Sequence, residues 1–128
     1  MAAMSGKKRP KYLDLTKIRL PVPGLVSILH RVSGAGLFLL LPLLLWLFQS
    51  SLASPESYAQ YAAVLGNPLV KLILIGLLWA FLHHLLAGLR FLALDVHVGT
   101  ALEPARASSW AVLVVAIVLT LVLGVWLW

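Results

Sequence analysis

The sequence predicts an all-α integral membrane protein of three transmembrane helices, with its N-terminus cytoplasmic and its C-terminus periplasmic. Composition, charge-free runs and an uneven spread of bases carry that expectation. Apolar residues make up 62% of the 128 residues, whereas a soluble domain has about 45–50%. Charged residues are 11%, against about 25% in a soluble domain. That leaves too few polar groups to cover a water-facing surface of this size. Of ten Lys and Arg, six fall at Lys7, Lys8, Arg9, Lys11, Lys17 and Arg19. A basic arm leading into a span sets topology or touches anionic headgroups rather than nucleic acid.

Residues 1–21 form the expected cytoplasmic arm, and 22–128 the three-helix anchor domain. The arm does not read as a signal peptide, because its basic stretch is long and no clean cleavage site follows. Pro21 and Pro23 in LPVPG resist a continuous helix from the arm into the membrane. The first span is placed at about 24–53, since residues 32–55 carry no charge and about twenty apolar residues cross the hydrocarbon core. Pro42 lies within it, where a kink is expected. Ser54-Pro55-Glu56 opens a polar stretch suited to a brief helix at the outer surface.

The second span is placed at 68–95, around the uncharged run between Lys71 and Arg90. The third, 107–128, has no charge, and Trp110, Trp126 and Trp128 suit its interfacial ends. The loop after the first span has Glu56 and no base, whereas Arg90 and Arg106 flank the next loop. The bases therefore put the N-terminus and second loop inside, and an arm unlike a Ser- and Arg-rich transit peptide suits a multi-pass protein of a bacterial inner membrane. The chain has no cysteine, so any cofactor must be held by histidine, carboxylate or backbone.

Ionisable groups within spans cost about 2.5–3.5 kcal/mol each at the centre, which makes them informative. One set, Ser27, His30, Arg31 and Ser33, opens the first span; another, His83, His84, Arg90 and Asp95, closes the second. Antiparallel passage brings both to the inner leaflet. Ser27, Arg31 and Gly34 fall on one helical face at i, i+4 and i+7. His84 lies about 9 Å deeper than Arg90, a depth that calls for a metal, a counter-charge or a helix-borne acceptor. His83 and His84 point about 100° apart, so at most one of them ligates a given iron. Plainer roles fit the same residues: arginines snorkelling to headgroups, glycines easing helix packing, and His30 and His97 satisfied by water.

Two motifs then carry a resemblance across nearly the whole chain. Arg9-Pro10 and DLTKIRLPVPG lead to Ser27-Ile28-Leu29-His30-Arg31-Val32-Ser33-Gly34, and His84-x-x-x-Gly88-x-Arg90 follows with Asp95 downstream. The sequence resembles the cytochrome b membrane-anchor subunits of succinate dehydrogenase, complex II. The resemblance implies haem b, with His84 as an axial ligand of the haem iron and His30 and Arg31 on the propionate side. It implies that Ser27 and Arg31 line a ubiquinone site. The implied partners are a second small anchor subunit, which supplies the other ligand, an iron–sulfur subunit, a flavoprotein subunit and the lipid membrane. Lys11 and Leu94 depart from the usual residue types, and His83 and His97 have no family role. Three other functions remain open from sequence: a fumarate reductase anchor, a cofactor-free structural or assembly protein, and a small transporter subunit. The last is disfavoured because Thr120 is the lone mid-span polar residue of the third run.

Overall fold

The computed structural model describes residues 12, 14 and 16–128. Lys7, Lys8, Arg9, Pro10 and Lys11 lie outside the described residues. Among those described, the fold is entirely helical: α1 (Val22–Ser51), α2 (Pro55–Gly66), α3 (Pro68–Asp95) and α4 (Leu102–Leu127). α1, α3 and α4 are each long and apolar enough to cross a membrane. At 30, 28 and 26 residues and about 1.5 Å per residue, each exceeds the ~30 Å hydrocarbon core. The chain is a multi-pass membrane protein.

Helix starts follow proline and capping chemistry. α1 begins beside the two prolines, with Pro21 at the cap and Pro23 in the first turn, where a missing N–H costs nothing. It continues through Pro42 as one helix. Before it, Asp14 accepts hydrogen bonds from the Thr16 hydroxyl at 2.6 Å and the Thr16 amide at 3.1 Å, and pairs with Lys17 at 3.2 Å. The Thr16 hydroxyl, then the Lys17 ammonium, hold the Asp14 carboxyl below its ordinary value.

The brief polar helix expected near Ser54 is α2, and it runs to Gly66. Ser54 and Ser57 cap it reciprocally: the Ser57 amide donates to Ser54 Oγ at 3.1 Å and the Ser54 amide to Ser57 Oγ at 3.0 Å. Asn67 ends α2 and caps α3, accepting from the Leu69 amide at 2.9 Å. α4 starts at Leu102 rather than 107. Glu103 and Pro104 sit in its first turn, where an acid meets the positive end of the helix dipole.

α3 runs antiparallel to both α1 and α4, so the start of α1, the end of α3 and the start of α4 share one end of the bundle. Val26, Ala87 and Val112, one from each helix, form the buried core there, with Leu86, Phe91 and Leu113 packed on it. The outer faces are apolar: Phe38 is 75% exposed, Leu39 74% and Val125 82%. In water such a surface would drive aggregation; in hydrocarbon it is the expected exterior.

Arg90 corrects the snorkelling alternative. It turns inward and is buried, its Nε donating to Ser108 Oγ at 2.9 Å and its Nη2 to the Ala105 carbonyl at 3.1 Å. Both acceptors are on α4, so Arg90 ties the two helices together. Among the described residues the ion pairs are Lys17–Asp14 and Arg106–Glu103, and Arg90 has neutral partners.

Candidate functional site

Of the two polar sets, the structure brings together His30 and Ser33 from α1 and His84 from α3. The His30 and His84 rings stack with centroids 4.1 Å apart and planes 5° from parallel. Phe91 meets His30 edge-on at 5.1 Å. His84 Nδ1 lies 3.0 Å from the His30 carbonyl oxygen. A carbonyl oxygen only accepts, so Nδ1 must carry the proton and donate it. That fixes the tautomer and leaves Nε2 with a free lone pair, the arrangement of a metal-binding histidine. Ser33 Oγ supports the same carbonyl, donating to it at 3.0 Å while lying 3.3 Å from His84 Nδ1.

Gly34 makes room for this ring. A Cβ built there would stand 2.7 Å from His84 Cε1 and 3.2 Å from Nδ1, closer than any side chain fits. Small residues let membrane helices approach closely; here the space admits an imidazole.

The other predicted residues point elsewhere. Ser27 is half-buried and Arg31 exposed on the outer side of α1, so Gly34 lies against α3 while its expected face-mate Arg31 does not. Asp95 and His97 are exposed at the end of α3, apart from His84. His97 takes a positive φ of 64° in the turn towards α4.

His83 points about 100° around the helix from its neighbour. It is fully enclosed, stacked on Trp79 with centroids 5.2 Å apart, and neither ring nitrogen has a hydrogen-bond partner. A buried polar group without a partner costs about 1–3 kcal/mol. His83→Leu is therefore expected to stabilise the bundle by an increment of that size, read as a raised thermal midpoint of the purified protein. A lowered midpoint would show that the imidazole is satisfied within the bundle after all.

Sequence reasoning placed His84 and Ser33 at this end but did not assign Gly34 its part as a seat. The signal was available in the equal spacing of His30-x-x-x-Gly34 and His84-x-x-x-Gly88 on antiparallel helices.

The family model described as "Succinate dehydrogenase/Fumarate reductase transmembrane subunit" matches residues 5–123. The chain belongs to that family. Among relatives of this family, a protein of Coxiella burnetii (strain RSA 493 / Nine Mile phase I) is 41% identical over 122 residues, covering 94% of this chain and 98% of the relative. One from Paracoccus denitrificans is 37% identical over 125 residues, covering 95% and 96%. A third, from Rickettsia felis (strain ATCC VR-1525 / URRWXCal2), is 31% identical over 118 residues, covering 92% of each. All three are named succinate dehydrogenase cytochrome b556 subunits. Membership in this transmembrane-subunit family agrees with the three long apolar helices.

Proposed function

We propose that this chain is the membrane-anchoring cytochrome b subunit of a bacterial succinate dehydrogenase, holding haem b and helping to build the site of ubiquinone reduction. The observation that carries the haem reading is the His84 Nδ1–carbonyl contact of 3.0 Å, because it leaves Nε2 as an iron donor. The Gly34 cradle suits the same group. His30 and Arg31, at the same end of α1, would hold the propionates, with arginine the stronger partner through charge-assisted hydrogen bonds. Haem b, when bound, takes up and returns one electron at its iron.

His83 is enclosed within the bundle and about 100° around α3 from His84, so it would not join His84 at one iron, which supports a second small anchor subunit supplying another ligand. An iron–sulfur subunit and a flavoprotein subunit complete the proposed complex.

Ser27 and Arg31 stand one turn apart on α1 and are open to such partners. A hydroxyl and a guanidinium there hydrogen-bond a quinone carbonyl and stabilise the negative charge that develops on its oxygen. The bases favour a cytoplasmic N-terminus and a periplasmic C-terminus in the inner membrane, which puts this site at the cytoplasmic side. The names of the relatives favour succinate oxidation over fumarate reduction. A dithionite-reduced minus oxidised spectrum of the purified complex tests the haem assignment. A b-type absorbance band is expected, and a colourless complex would overturn it in favour of a cofactor-free structural protein.

A further inference from the structure

The two helices at the site carry one pattern in opposite directions. On α1 it is His30-Arg31-Val32-Ser33-Gly34, and on α3 His84-Leu85-Leu86-Ala87-Gly88. Because the helices are antiparallel, each histidine comes level with the other helix's glycine. The spacing at each glycine shows it: a Cβ on Gly34 would meet the His84 ring at 2.7 Å, and one on Gly88 would meet His30 Nε2 at 3.5 Å. The two rings close the space between them at 4.1 Å and 5°. The result is a reciprocal clasp in which each helix lodges its imidazole over the other's missing side chain.

From this clasp we infer that His30 is a positioning residue that sets the plane of the His84 imidazole through ring stacking, with Gly34 as the seat that permits it. The inference rests on the proposal that His84 is the haem ligand. A single hydrogen bond from Nδ1 to the His30 carbonyl fixes one atom of the ring and leaves it free to rock. The stacked face of His30 removes that freedom, and Phe91, edge-on to His30 at 5.1 Å, holds the stacking ring in turn. The orientation of an axial imidazole about its iron bond governs the low-spin ferric g values, so the clasp has a spectroscopic signature separate from turnover. Groups that orient a metal ligand are worth about 10- to 100-fold in metal affinity.

The test uses the intact complex, measuring haem per flavin and the low-spin electron paramagnetic resonance signal. His30→Ala keeps the backbone carbonyl but loses the stack, and is expected to shift the largest g value. His30→Phe restores a flat ring without a ring nitrogen, and is expected to return that g value towards wild type. Were His30 acting only as a partner of the propionates, Phe would rescue nothing, and that outcome would overturn the inference. Gly34→Ala should displace His84 and lower haem affinity on the order of 10-fold, with Gly88→Ala giving a smaller change. Gly66→Ala, at the end of α2 where an added Cβ meets nothing within 4 Å, should be silent. A Gly88 effect larger than the Gly34 effect would count against the seat, and if Gly34→Ala does not assemble, the His30 pair decides. A His84→Leu complex with a wild-type signal would sink the ligand assignment itself. Loss of the signal in His84→Leu, with the His30 variants unchanged, would sink the positioning role alone.

Discussion

His84→Leu is expected to abolish the low-spin haem spectrum of the purified complex and to lower haem content by at least ~10-fold, the lower range for perturbing a metal ligand's support. Leucine fills comparable space but offers iron no lone pair. The neighbouring imidazole does not replace it. His83 is about 100° around the helix and fully enclosed on the side of α3 that stacks on Trp79. Exposing its ring would mean turning α3 and withdrawing Arg90 from Ser108 and Ala105. The double variant His83→Leu/His84→Leu is thus expected to match His84→Leu alone. Visible absorbance and the ferric low-spin signal check both, and an unchanged spectrum in His84→Leu would assign the iron to another residue.

The spans were legible because hydropathy is a bulk property: a run without charge in this composition has few destinations besides lipid. Their ends were less so, since ends are decided by capping. The uncharged run beginning at 107 set the expected start of α4, yet Glu103 and Pro104 suit a first helical turn and carry the helix back to Leu102. α2 illustrates the converse, with Ser54 recognisable as a start but the run to Gly66 invisible to a charge count.

Within the site, helical spacing separated His83 from His84 but could not say which one enters the bundle. That depends on where α1 and α4 pack, which is a property of the assembled helices. The same holds for Gly34, grouped by spacing with Ser27 and Arg31. An i, i+4, i+7 stripe is wide enough to straddle the boundary between a packed face and an open one. Gly34 falls on the packed side, against His84, and Arg31 on the open side. Arg90 shows how burial overrides a prior: arginine near a span end ordinarily reaches outward, but Ser108 and Ala105 on α4 supply acceptors within reach.

The openness of Arg31 leads to the second large effect. Arg31→Ala is expected to depress succinate–ubiquinone activity by about 10²–10³-fold, the usual loss when one donor to a developing oxyanion is removed. Succinate oxidation with an artificial dye acceptor should survive, because the dye takes electrons upstream of the quinone. Arg31 is exposed on α1 and outside the His30–His84 stack, so its removal leaves the clasp and the bundle core in place. Arg31→Lys should fall between, since an ammonium keeps the charge but loses the planar fork that reaches two acceptors at once. Ser27→Ala, removing a neutral donor one turn away, should cost less than either. Equal loss of quinone and dye activities in Arg31→Ala would mean that the catalytic subunits no longer dock. Full retention of both would place the quinone elsewhere on the complex.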